Sequence, residues 1–242
     1  MTFKSDIVEI CQQVVAEFPG WKFTSSGDFV NKELKHTDLV VSPGFTFNPE
    51  PSCSVIPVAG IRNRKIVRLY KDLFGRDPYW TLSIKFQLES AMYRGPGSVK
   101  RIYPKKLAFT TAHGEPDHWL GGFIIQADAP AYLTGVLMDG QSYINKYFTL
   151  DSEENLLRNL PVTYQWMDNG VGNSGQMGSF YEETDGIIHC LAAIVLGDFG
   201  FVEKYRSDEF KTATPKRTKE IDKIVSMLPD LKRRFVETGS VI

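Results

Sequence analysis

The densest set of groups in this sequence that could coordinate an ion is the hexapeptide His113-Gly114-Glu115-Pro116-Asp117-His118. His113, Glu115, Asp117 and His118 offer two imidazoles and two carboxylates, donors that suit a divalent cation. The same groups could act as general acid or base, and the chemistry they describe is that of a hydrolase, metal-dependent or not. The spacing is not that of a helical histidine pair. Four residues separate the two histidines, which turns their rings to different sides of a helix. Gly114 and Pro116 mark a turn, and a polar turn needs no metal to explain it. No nucleophile that would partner these groups is identifiable.

A second loop with chemical potential is Gly170-Val171-Gly172-Asn173-Ser174-Gly175-Gln176-Met177-Gly178-Ser179. Backbone amides among so many glycines could cradle a phosphate. A P-loop would end in Gly-Lys-Ser/Thr, and no lysine stands here. A nucleophile elbow would need glycine two residues before and two after the serine; Gly172 meets the first condition, and Gln176 breaks the second. A flexible connection is the simpler explanation, and no cofactor is expected. His189 and Cys190 are neighbours in an apolar helix, where side chains point about 100° apart, so core packing explains them better than a catalytic pair. The carboxylates Glu153-Glu154 and Glu182-Glu183 stand near helix starts, where negative charge complements the helix dipole. A metal-dependent nuclease would need an acid two residues before a strand lysine, and Ser83-Ile84-Lys85 has none. His36 has no companion in the sequence.

Basic and aromatic side chains alternate at Tyr93, Arg94, Lys100, Arg101 and Tyr103, with Trp119, Trp166 and Tyr181 in further segments that read as loops or edges. Exposed aromatics with nearby arginine are the usual anchors of protein interfaces. The 94–106 segment also suits phosphate contacts with base stacking, but 28 Lys+Arg against 29 Asp+Glu give a net charge of -1, which disfavours a nucleic-acid binder. Arg62, Arg64, Lys65 and Arg68 are expected on the exposed face of one helix and Lys232-Arg233-Arg234 on another.

The elements that must position these groups are legible from periodicity. Ile7, Ile10, Cys11, Val14, Val15 and Phe18 predict a helix over 5–18, stopped by Pro19-Gly20. Trp21-Lys22-Phe23 and Phe29-Val30 flank a glycine-containing turn and predict a hairpin. Leu39–Val41, Phe45–Phe47 and Cys53–Val58 are extended pieces among Pro43, Pro49, Pro51 and Pro57, which favours edges over central strands. A helix over 63–74 should turn Ile66, Leu69, Tyr70 and Leu73 (or Phe74) inward. Strict alternation over 79–88 predicts a strand with Thr81, Ser83, Lys85 and Gln87 on its wet face. Strands are also expected at 107–111 and 122–127. Helices follow from Pro130, after the capping pattern Asp151-Ser152-Glu153-Glu154, over 185–197, near 199–206, and from Pro215 through a kink or restart at Pro229.

This order predicts an α+β fold: a mostly antiparallel sheet from the N-terminal half packed against helices from the C-terminal half. The 242 residues are expected to form a single domain, strand-rich over 1–127 and helix-rich over 128–242. Hydrophobic residues at 42% and charged residues at 24% exclude a disordered chain. No apolar stretch approaches the length of a membrane span, and Lys4, Asp6 and Glu9 interrupt any signal-peptide core. Cys11, Cys53 and Cys190 form neither a disulfide framework nor a zinc spacing. A cytoplasmic location and no membrane partner are expected.

The opening helix, Gly20-Trp21-Lys22-Phe23, Gly27-Asp28-Phe29-Val30-Asn31-Lys32 and Leu39-Val40-Val41 together resemble a family of small bacterial α+β domains of unknown function, some of them encoded beside polymorphic toxins. The resemblance implies an immunity or neutralising role and carries over no catalytic residue. The expectation is a non-enzymatic protein-binding module whose partner is another protein, a toxin in the form the resemblance implies. A hydrolase using the His113–His118 loop is the alternative, and nucleic-acid binding through 94–106 ranks third.

Overall fold

The computed structural model describes residues 3–47, 52–55, 57–78, 80–85, 122–125, 129–160, 186–206 and 218–242. Helix α1 (Phe3–Ala16) buries Phe3, Ile7, Cys11 and Val14, a stripe at four- and three-residue steps. Its end tightens through Glu17 N to Val14 O and Phe18 N to Val15 O, both 3.1 Å, and Gly20 at φ 83° turns the chain into the first strand. Strand β1 (Trp21–Phe23) pairs antiparallel with β2 (Phe29–Asn31), Phe23 opposite Phe29. In turn β2 pairs antiparallel with β3 (Thr37–Ser42), Phe29 opposite Val41.

The proline-rich stretch folds differently from its expected edge character. Strands β4 (Thr46–Phe47) and β5 (Ser52–Val55) fall between the prolines, β6 (Val58–Asn63) follows Pro57, and none of the three contains one. Strand β5 is the centre of a three-stranded antiparallel sheet, β4-β5-β8, with β8 at Gly122–Ile125. Strand β6 is interior to the five-stranded sheet of order β1-β2-β3-β6-β7, where β7 is Leu82–Lys85. Proline removes a ladder donor only where it stands, so β5 and β6, which contain none, pair on both sides, while β4 keeps the edge place expected of it.

Two compact units interleave along the chain: one holds residues 1–33, 38–61 and 83–146, the other 34–37, 62–82 and 147–242. In the first unit, helix α3 (Ala129–Tyr147) buries Tyr132, Leu133, Val136, Leu137 and Ile144. Gly140 lets this helix approach β3 closely: a Cβ there would lie 2.5 Å from Val41 Cγ1. A helix of the C-terminal half thus packs on the N-terminal sheet, as the order of elements predicts.

The second unit contains α2 (Arg64–Phe74), α4 (Glu153–Arg158), the helical residues 186–195 (α5), α6 (Gly200–Arg206) and α7 (Thr218–Thr238). The apolar run Ile187, Ile188, Cys190, Leu191, Ala192 and Ile194 makes α5 a core helix. Gly197, at φ 82°, leaves room for the Phe235 ring of α7, which meets Phe199 edge to face at 5.8 Å. Helix α7 buries Ile221, Ile224, Leu228 and Leu231 and runs through Pro229 without restarting. No helix among the described residues is long and apolar enough to cross a membrane.

Candidate functional site

The Glu153 carboxylate, at the first position of α4, accepts four hydrogen bonds. Its Oε1 accepts from His36 N at 2.6 Å and Thr37 N at 3.0 Å; its Oε2 accepts from Thr37 Oγ1 at 2.9 Å and Asn63 Nδ2 at 3.2 Å. Asn63, fully buried, is the junction. Its Nδ2 also donates to Thr37 Oγ1 at 2.8 Å, while its Oδ1 caps α2 by accepting from Lys65 N and Ile66 N, both 3.1 Å. Its backbone N–H donates to Thr81 Oγ1 at 2.7 Å. Thr81, expected on a wet strand face, is therefore buried, because that face supplies the acceptor for the end of β6.

The residues just before β3 are strapped to the same point. Arg64 N donates to the His36 carbonyl at 2.8 Å, and the Arg64 guanidinium reaches the Lys35 carbonyl. Chemically the cluster is a clamp. A carboxylate has about four lone-pair sites, and four donors fill those of Glu153, leaving none aimed outward for proton abstraction.

The cap of α4 sits one residue later than the Asp151-to-Glu154 pattern predicts. Ser152 Oγ accepts from Asn155 N at 3.1 Å, and Asp151 accepts from Asn155 Nδ2 at 2.7 Å. This shift frees Glu153 for the clamp and leaves Glu154 to pair with Arg158 at 2.8 Å. Sequence reasoning assigned Glu153 to the helix dipole. Its other partners stand as many as 117 residues away, and no local pattern signals them.

His36 titrates below its ordinary 6.5. Desolvation is the main cause; the positive charge of Lys65 comes next, opposed by Glu153 and reinforced by Lys35 and Arg64. A histidine whose folded value lies below its unfolded value binds protons more readily when unfolded. Its contribution to stability is therefore complete above pH 6.5 and is lost as pH falls through that value toward the folded one. Urea unfolding at pH 7.5 and 5 should show a larger loss for the native chain than for His36→Gln. A midpoint shift identical in both would refute the assignment.

Cys190 is buried in α5, and desolvation pushes its thiol up to about 12, which holds it protonated and poorly nucleophilic at neutral pH. Neighbouring His189 is only half-buried. No group of three or more metal-ligating side chains converges among the described residues.

The second feature is the outer surface of α2. Asn63 caps the helix, Gly75 ends it at φ 71° with its N–H on Lys71 O at 2.8 Å, and Ile66, Val67, Leu69, Tyr70 and Leu73 face inward. Arg64, Arg68 and Lys71 are left exposed. Arg62 does not share this face, because it lies in β6, half-buried, and reaches Asp77 at 3.7 Å. On α7, Lys232 pairs with Glu203 at 3.2 Å and Arg233 with Asp230 at 2.9 Å.

The remaining sequence-level candidates lie outside the described residues. These are Tyr93, Arg94, Lys100, Arg101, Tyr103, Trp119, Trp166 and Tyr181 for partner binding, and His113, Glu115, Asp117 and His118 for a metal. So do the 107–111 strand, the glycine-rich 170–179 segment and Glu182-Glu183. Compared with protein-family models, curated proteins and solved structures, the chain matches none.

Proposed function

We propose that this chain is a non-catalytic, cytoplasmic protein-binding module, with neutralisation of a toxin as the role that the N-terminal resemblance implies. The observation that carries this reading is the surface of α2. Arg68 and Lys71 are exposed cations that form no ion pair among the described residues, whereas Arg62, Arg158, Lys232 and Arg233 each have a carboxylate. Unpaired surface cations on a rigid helix are free to meet charges on a partner and set the rate and register of docking. The Glu153 clamp supports the same reading, because its lone pairs are spent on two backbone and two side-chain donors of the fold. The basic-aromatic segment at 93–103 and Trp119, Trp166 and Tyr181 would supply further anchors of the kind interfaces use.

The test is capture of partners from the source cells on the immobilised full chain, identification by mass spectrometry, and reconstitution with the purified partner. One partner forming a stoichiometric complex is the expected result. Absence of any such partner, together with a hydrolytic activity abolished by His113→Ala, would overturn the reading in favour of the enzyme.

A further inference from the structure

We propose that the outward face of α2 docks an acidic stripe on the partner, a surface of carboxylates carried by a helix; this rests on the protein-binding reading above and names the chemistry of what is bound. Arg64, Arg68 and Lys71 are spaced by four and three residues. At 100° per residue they fall within a wedge of about 60°, and they span roughly 10 Å along the helix. Tyr70 and Leu73, buried beneath, hold the helix in place, and the αL cap at Gly75 ends the stripe.

The charges near the N-terminal end of this face are mainly positive. Lys65, Lys35 and Arg64 each act against protonation of His36, with Glu153 alone opposing them. Arg64 is oriented by the Lys35 carbonyl, so one cation of the stripe is already placed. Asp72, four residues after Arg68 and so about 40° round the helix from it, flanks the stripe, exposed and without an ion pair among the described residues.

That flanking carboxylate decides between two polyanions. Three cations with one anion beside them form a mixed pattern, which a helix bearing Glu or Asp at i, i+4 and i+7 and a Lys or Arg alongside can complement. A nucleic-acid backbone carries only negative charge; it would be repelled by Asp72 and is not attracted at long range by a chain of net charge -1.

The experiment measures binding of a fluorescent helical peptide, with Glu at i, i+4 and i+7 and a Lys alongside, to the full chain by anisotropy. The variants are Arg68→Glu/Lys71→Glu and, as an equal change of charge elsewhere, Arg158→Glu/Arg233→Glu; a single-stranded oligonucleotide is titrated in parallel. The expected result is binding of the peptide that weakens as salt shortens the Debye length below about 8 Å, and a loss of about tenfold or more in the α2 variant only. Thermal melts of the α2 variant should keep the native cooperative transition, lowered by no more than a few degrees by the like charge beside Asp72 and at the helix C-terminus, since both residues are exposed.

Equal losses in both variants, no binding of the peptide, or tighter binding of the oligonucleotide through Arg68 and Lys71 would each overturn the proposal. The captured partner separates this outcome from failure of the broader reading. A partner retained by Arg68→Glu/Lys71→Glu removes the α2 stripe and leaves protein binding standing, whereas a native chain that captures nothing removes protein binding itself.

Discussion

Glu153→Ala is expected to cost about 3 kcal/mol of folding stability, seen as a lower urea midpoint with an unchanged slope. The substitution strands three N–H groups that lack rotational freedom to find another acceptor: the backbone N–H of His36 and of Thr37 and one N–H of Asn63 Nδ2, whose other N–H stays on Thr37 Oγ1. A buried unsatisfied donor costs about 1–3 kcal/mol, and the partial exposure of Glu153 lets water soften each loss toward the lower bound. The Thr37 hydroxyl can rotate and escapes the penalty. Glu153→Gln should fall between. One carbonyl oxygen can still serve the two backbone donors, while the new amide faces Thr37 Oγ1 and Asn63 Nδ2, donor against donor on the asparagine side. Native-state hydrogen exchange gives a second readout, since the His36 and Thr37 amides should lose protection first. A variant whose midpoint and exchange both match the native chain would show that the clamp holds nothing.

Gly140→Ala should destabilise the first unit by about 1 kcal/mol net, although alanine is the better helix former by about 1 kcal/mol. The new methyl would sit 2.5 Å from Val41 Cγ1, 2.7 Å from Cγ2 and 3.2 Å from Cβ. Val41 is completely buried in β3, and a β-branched side chain there has no alternative rotamer into solvent. Overpacking of this kind costs about 1–3 kcal/mol and outweighs the gain in propensity. A double-mutant cycle makes the argument specific. Val41→Ala alone leaves a cavity and destabilises, yet Gly140→Ala/Val41→Ala places the added methyl in the vacated space. The double variant should be more stable than the sum of the single losses by about 1 kcal/mol or more. Simple additivity would mean that α3 and β3 do not share this contact.

These two residues show why some features are legible in one dimension and others are not. The stripe of α2 is visible because inward and outward residues of a helix alternate within a few positions: Ile66, Leu69, Tyr70 and Leu73 are predicted inward and are buried. The extent of its basic face is less legible. Arg62 reads as part of the helix until Asn63 is seen to cap it, and Lys71 completes the stripe only once Gly75 closes the last turn. Thr81 obeys strand alternation perfectly and is nevertheless buried, because a hydroxyl can be paired by a backbone donor 18 residues earlier. Glu153 satisfies a sufficient local explanation, charge at a helix start, and its actual partners come from β3, β6 and the residue before β3.

Periodicity and punctuation are short-range properties, written by the geometry of one turn of helix or one pleat of strand. They carry the α+β order, the hairpin at 21–31 and the apolar faces of α1, α2, α3 and α5. Hydrogen bonds and close approaches between distant segments depend on where the chain returns in space, and residue type alone admits many partners. The saturation of Glu153, the need for glycine opposite Val41 and the central place of β5 between prolines were all settled by that return.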